Sequence, residues 1–105
     1  NTDLSQINSF HYPDYTNVLH QVVNNDNYTA TADGWLIGSW FALTNSESQL
    51  KVNGVAIGDA YNAGNYNAMG NISLPIKSGD TITINNLQVY ADAPQRTIYI
   101  YGNIS

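Results

Sequence analysis

His11 and His20 are the only imidazoles of this 105-residue chain, and seven aspartates with a single glutamate, Glu47, are its only side-chain carboxylates. A metal centre would need both histidines together with further ligands, and no His-x-His pair is present. The aspartates lack the D-x-D-x-D-G spacing of a calcium loop; Asp33 and Asp80 each adjoin a glycine, as turn formation requires. Both histidines are therefore expected to be solvated or hydrogen-bonded in structural roles, with no metal and no cofactor. Glycoside hydrolysis needs two carboxyl groups facing each other across a cleft, one with a raised pKa. Here Glu47 sits in a polar turn, so such a pair would have to be built from aspartates. No G-x-S-x-G nucleophile motif occurs, and the Gly38-Ser39 pair lies inside an apolar run. Catalysis has no support, and the expectation is a non-enzymatic protein.

Binding chemistry is better represented. Tyr61, Asn62, Asn65, Tyr66 and Asn67 fall in the Gly-, Asn- and Ala-rich stretch Gly58–Gly70, which reads as a long loop. Loops carry contact residues more often than the scaffold does. Aromatic faces and amides suit sugars, and tyrosine anchors suit protein partners. Arg96, beside the Asp92–Gln95 loop, is a second candidate contact. The plainer alternative is that Gly58–Gly70 only joins two strands or packs on a neighbouring subunit. Three N-x-S/T sequons, at Asn27, Asn71 and Asn103, are expected by chance in so Asn-rich a chain.

The elements that must position these residues are short strands. Val18–Val23 is apolar and largely β-branched, and Asn24–Asn27 closes it with turn chemistry. Tyr28–Thr31 is a short strand before the Asp33-Gly34 turn. Trp35–Leu43 alternates Trp35, Ile37, Ser39 and Phe41 against Leu36, Gly38, Trp40 and Ala42, so both faces are largely apolar. That makes it a central strand covered on both sides, with at most one tryptophan in the core. Asn53-Gly54 between two apolar runs predicts a two-residue type I′ hairpin, with Leu50 and Val52 pairing inward with Val55 and Ile57. Strands follow over Asn71–Ile76, Thr81–Ile84, Leu87–Ala91 and Arg96–Tyr101, and a short one near Ser9–His11 precedes the rest. About eight strands at regular spacing predict an all-β, antiparallel β-sandwich or jelly roll.

Size and charge narrow the partners. One domain is expected, able to bury about 65 % of its unfolded surface without cysteines to staple it. Only 10 % of residues are charged, against roughly 25 % in an ordinary soluble domain. The net charge of −5 and the three scattered cations Lys51, Lys77 and Arg96 exclude phosphate-backbone binding, so nucleic acid is set aside. No apolar run reaches the roughly 20 residues of a membrane span. The chain starts at Asn1 rather than Met and has no signal-peptide pattern, as expected of a piece of a longer protein. Residues 1–15 read as an extended lead-in and 16–105 as the folded domain. In the last strand Ile98 and Ile100 share one face and Tyr99 and Tyr101 the other. A second apolar or aromatic face, seen here and in Trp35–Leu43, suits packing against copies of the chain.

The segment Tyr28-Thr29-Ala30-Thr31-Ala32-Asp33-Gly34-Trp35-Leu36-Ile37 resembles the Y-T-A-P-x-D-G-aromatic-aliphatic opening of the first long strand in jelly rolls like tumour necrosis factor and the complement globular head. Thr31 stands where that pattern often has proline. Leu74-Pro75-Ile76-Lys77-Ser78-Gly79-Asp80-Thr81-Ile82 looks like their L-x-V-x-x-G-D-x-V turn. With Pro13-Asp14-Tyr15 ahead of them, the order from Tyr12 to Tyr101 is similar to C-terminal head domains of bacteriophage tail fibres. The resemblance implies a homotrimer about a threefold axis, with Trp40, Tyr99 and Tyr101 expected at the contact between copies. It implies attachment of a particle to a bacterial surface glycan or protein, at a virion fibre tip or otherwise extracellular. The family shares no ligand motif. Two alternatives stay open: a carbohydrate-binding module or lectin domain of a secreted bacterial protein, and a structural trimerisation cap.

Overall fold

Side chains that alternate between two faces can bury one face only if a second layer covers it. In this chain two antiparallel sheets do so for each other. The structure, a computed structural model, describes residues 11–90 and 93–104. Its strands are β1 (Pro13–Gln21), β2 (Asn27–Thr29), β3 (Gly34–Ala42), β4 (Ser46–Val52), β5 (Val55–Asn62), β6 (Asn67–Ala68), β7 (Gly70–Ile76), β8 (Thr81–Ile84), β9 (Leu87–Gln88) and β10 (Ile98–Asn103). One sheet runs β1-β10-β3-β7, with β9 on the end of β3; the other runs β2-β8-β4-β5-β6. Among the described residues the only helical element is one 3-10 turn, Pro94–Arg96. The all-β sandwich expected from the strand pattern is what forms.

The core lies between the sheets. Leu36, Trp40 and Ala42 of β3 and Ile98 and Ile100 of β10 meet Leu50 of β4, Ala60 of β5 and Ile82 and Ile84 of β8. Trp40 is the largest of these and has 0 % exposure. It fits because two glycines leave room: a Cβ on Gly70 would come within 2.5 Å of the indole, and one on Gly58 within 2.8 Å. The buried Nε1–H of Trp40 donates to Ser48 Oγ at 3.1 Å, and Ser48 is itself 0 % exposed. An indole N–H left unpaired at this depth would cost about 1–3 kcal/mol.

Asn53 and Gly54 take φ of 52° and 82°, the two left-handed residues that a type I′ turn demands. The hairpin then departs from simple alternation. Lys51 pairs with Ala56 but Leu50 pairs with Gly58, so Ile57 is an extra residue in β5. Such a bulge resets which face the strand presents. Ile57 therefore does not pair with Leu50 and is 36 % exposed, while Val55 pairs with Val52 as expected but is 62 % exposed beside the turn rather than buried. Beyond the bulge, Gly58 and Ala60 point into the core.

Three further expectations are corrected. Gly58–Gly70 is not a loop: β5 continues to Asn62 and turns through residues 63–66 into β6. The final strand starts at Ile98 rather than Arg96, because Pro94 begins the 3-10 turn. The lead-in gives way to β1 at Pro13, ahead of the boundary drawn at residue 15. The expected strand near Ser9–His11 falls largely on residues 1–10, outside the described residues, as do Ala91 and Asp92.

Asparagine and aspartate hold the connections. Asn24 Oδ1 accepts from Leu87 N–H, Asn85 Oδ1 from Gln49 N–H and Asp33 Oδ1 from Ser78 N–H, each at 2.8–2.9 Å. Asn53 Nδ2 donates to Asp80 Oδ1 at 3.0 Å and Lys77 N–H to Asp80 Oδ2 at 2.8 Å. The bond from Asn53, then that from Lys77 N–H, holds the Asp80 carboxyl below its ordinary value of 3.8.

Two outcomes follow. Ala has the better strand propensity, yet Gly70→Ala should destabilise by about 1–3 kcal/mol in urea denaturation, because the added methyl overpacks Trp40; a neutral or stabilising change would contradict the packing. Asp80 has a lower pKa folded than unfolded, so its contribution is present above pH 3.8 and is lost as pH falls through the folded value. Asp80→Asn should therefore lower Tm at neutral pH and flatten the acid side of a Tm–pH profile relative to the parent chain.

Candidate functional site

The residues that point away from the core on the β1-β10-β3-β7 sheet form a second face, half-buried at Trp35, Ile37, Tyr99 and Tyr101 and capped at Phe41 by Tyr90 and Arg96. Register places them in rows. Val18 of β1 stands beside Tyr101 of β10, Trp35 of β3 and Pro75 of β7. The next row is Gln21, Tyr99, Ile37 and Ser73, two residues along each strand except β1, where a register shift makes it three. Tyr15 packs edge-on against Tyr101 with centroids 5.1 Å apart, and Tyr99 lies 5.7 Å from Tyr101. Partial burial, then the neighbouring Tyr99 and Tyr15, pushes the Tyr101 phenol above its ordinary pKa. Ser39 Oγ–H donates to Asn71 Oδ1 at 2.6 Å, tying β3 to β7 across the same face.

Tyr99 and Tyr101 thus lie on the face where a contact between copies was expected. Trp40 does not. It is buried inside one copy, because β3 aims its even-numbered residues at the opposite sheet. The tryptophan on the outer face is Trp35, whose indole Nε1–H donates to His11 O at 2.8 Å. Alternation separates the two rings by sequence; which ring goes inside depends on Gly58 and Gly70, which belong to other strands.

Arg96 lies at the far end of this face. Its guanidinium stands 4.9 Å from the Tyr90 ring centroid and 5.9 Å from that of Phe41, and these two rings meet edge-to-face at 6.0 Å. Cation–π attraction holds an exposed arginine there in one orientation.

The remaining candidates sit on the β5–β6 hairpin, which divides them by role. Tyr61, Asn65, Tyr66 and Asn67 are exposed, Tyr61 and Tyr66 at 47 % and 63 %. Asn62 is spent on structure: its Nδ2 donates to Ala42 O at 3.3 Å and its Oδ1 accepts from Gly64 N–H at 2.8 Å. The second bond spans two residues in the manner of an Asx turn. The hairpin is therefore held against the end of β3, presenting two tyrosines on a rigid support.

Of the two histidines, His20 takes a structural position and His11 is exposed. His20 Nε2 lies 2.6 Å from Asp26 Oδ2, and its ring stacks on Tyr28 at 3.9 Å, linking β1 to β2 across the sheets. Among the described residues no group of three or more His, Cys, Asp or Glu side chains comes together. The hollows are shallow. One of about 190 Å³ lies on the other sheet, lined by Gln49, Lys51, Thr83, Ile84 and Asn85; another, of about 330 Å³, lies open on β3 and β7 beside Ile37, Ser39, Asn71 and Ser73. Exposed rings on strands, without a deep cleft, can do recognition chemistry.

A scan of protein-family models and searches of curated proteins and of solved structures each returned no match.

Asn62→Ala should lower stability by about 1–2 kcal/mol, since it leaves the Ala42 carbonyl and the Gly64 N–H without partners. Asn65→Ala and Asn67→Ala should stay within about 0.5 kcal/mol of the parent chain, as exposed positions do. Thermal unfolding of the three variants checks the division.

Proposed function

We propose that this chain is a non-enzymatic attachment head of a phage or prophage tail fibre, working as a homotrimer. Its role is to hold a particle to a bacterial surface glycan or protein. The observation that carries this reading is the apolar and aromatic character of the outer face of the β1-β10-β3-β7 sheet. A solvated sheet face alternates with polar and charged residues. Here Tyr15, Val18, Trp35, Ile37, Tyr99 and Tyr101 occupy it, and no Lys, Arg, Asp or Glu stands in the two central rows. Apolar and aromatic surface of that kind marks an interaction site. Tyrosine suits it, because its ring is buried while its hydroxyl meets a polar partner.

Strand order adds support for a jelly roll. Apart from the two-residue β6 and β9, the sheets run β1-β10-β3-β7 and β2-β8-β4-β5. The first strand lies beside the last, and the third beside the seventh, as winding a long hairpin over itself requires. Three copies is the number implied by the resemblance at Tyr28–Ile37 and Leu74–Ile82. With that face turned to its own copies, the β5–β6 hairpin with Tyr61 and Tyr66 remains on the outside to meet the receptor.

Light scattering on purified protein should give about three times the 11.5 kDa chain mass. Tyr99→Asp, which places a charge in the centre of the face, should give the single-chain mass with the strand circular-dichroism signature retained. Tyr61→Ala with Tyr66→Ala should keep the assembled mass and weaken retention on bacterial cells about tenfold or more, as loss of aromatic anchors does. A parent chain of 11.5 kDa in solution would overturn the trimer and favour the carbohydrate-binding module. A trimer that no cell or glycan retains would favour the structural cap.

A further inference from the structure

The β2-β8-β4-β5-β6 sheet turns a polar outer surface to solvent. Ser48 and Leu50 of β4, Ala60 of β5 and Ile82 and Ile84 of β8 are buried, so alternation aims their neighbours outward. Register then sets Lys51 beside Thr83, Gln49 beside Asp59 and Glu47 beside Tyr61. The hollow of about 190 Å³ on this sheet is lined by Gln49, Lys51, Thr83 and Asn85, together with Ile84.

Uncommitted donors surround that hollow. Asn85 Oδ1 is occupied by Gln49 N–H, which leaves the Nδ2 hydrogens of Asn85 to a ligand. No hydrogen bond within the described residues engages the Gln49 amide, the Thr83 hydroxyl or the Lys51 ammonium. By contrast, the Asn24, Asn53 and Asn62 side chains are spent on holding turns. The cations differ in the same way. Arg96 is held over the Tyr90 ring, whereas no carboxylate lies within ion-pair distance of Lys51 among the described residues. Lysine offers three donors and no acceptor, so the ligand must bring an acceptor. A charged acceptor gains most, because a hydrogen bond between two ions is shorter and stronger than one between neutral groups.

We infer that the hollow around Lys51 is a binding subsite for an acidic sugar, a single carboxylate-bearing residue of a surface glycan. Lys51 and Asn85 Nδ2 donate to the carboxylate, and Gln49 and Thr83 exchange hydrogen bonds with ring hydroxyls. Glu47 and Asp59 stand on the same face outside the hollow and limit the charge it accepts. A phosphate dianion or a densely sulfated chain meets their repulsion. A sugar with one charge turns hydroxyl donors toward them instead. A neutral sugar gains nothing from the Lys51 charge, and an apolar ligand would strip water from four polar side chains without replacing it. Tyr61 lies two residues along β5 from Asp59 on the same face. A glycan seated at Lys51 therefore extends toward a tyrosine proposed to meet the receptor. The face proposed to join copies belongs to the other sheet, so the subsite stays open in a trimer.

This subsite rests on the attachment reading and names its ligand class. The test is titration of the intact protein with methyl glycosides of glucuronic, galacturonic and N-acetylneuraminic acids, with methyl glucoside, acetate and inorganic phosphate as controls. Mass by light scattering and retention on bacterial cells are measured on the same samples. At least one acidic glycoside should shift the amide resonances of Gln49, Lys51 and Thr83 saturably, with a millimolar Kd. Each control should bind about tenfold more weakly or not at all. Lys51→Gln should weaken the binding about tenfold or more while Tm stays close to that of the parent chain. Lys51→Arg, which keeps the charge, should retain most of it. No saturable shift with any acidic glycoside would overturn the subsite. Equal binding of methyl glucoside, acetate or phosphate overturns it too, as do shifts that survive Lys51→Gln. A trimer retained on cells without these shifts overturns the subsite and leaves the attachment reading. Acidic-sugar binding by a single chain overturns the assembly and leaves the subsite.

Discussion

The position of one indole ring organises this sandwich. Trp40 fills the space between the sheets, and it can do so only because Gly58 of β5 and Gly70 of β7 have no side chains and Ser48 of β4 supplies a buried acceptor. Three strands from both sheets thereby converge on one ring. Since packed interiors tolerate neither voids nor overlap, the depth of Trp40 sets how closely the sheets approach. It also sets the orientation of β3. With Trp40, Leu36 and Ala42 inside, Trp35, Ile37 and Phe41 must go outside.

That orientation creates the feature with functional weight. β3 and β10 are central strands whose inner residues make the core and whose outer residues are nearly as apolar. Apolar outer rows beside Tyr99 and Tyr101 are costly to leave in water and valuable when covered. The β5–β6 hairpin and the Arg96 cluster lie toward the other end of β3, where Asn62 and the Tyr90 and Phe41 rings hold them. Strands thus supply the broad surface, and turns supply the exposed side chains at its ends.

The abundance of asparagine has a structural cause. Asn25, Asn45, Asn53 and Asn86 all adopt positive φ, with values of 51–59°, a region that asparagine tolerates better than most residues with a side chain. Asn24, Asn53, Asn62 and Asn85 spend their amides on backbone groups of other segments or of their own turn. A composition that suggests a sugar-facing surface is therefore partly a device for holding tight turns without disulfides or many ion pairs. Among the amides expected to bind, Asn62 belongs to this scaffold, and Asn65 and Asn67 are exposed.

Local chemistry was legible in the sequence. Alternation identified the strands, Asn53-Gly54 identified its turn, and the mixed faces of Trp35–Leu43 and Ile98–Tyr101 identified a sheet with two apolar sides. The tertiary structure decided what period two cannot express. An extra residue at Ile57 reverses the facing of half of β5, and alternation counted through a bulge gives the wrong side. Which tryptophan enters the core depends on glycines about 20 and 30 residues away from it, whose relevance exists only once β5 and β7 lie across Trp40. The sequence by itself determined the elements and their two-sidedness, because those depend on neighbours along one strand. Only packing decided inside from outside, because that depends on which strands come to lie opposite.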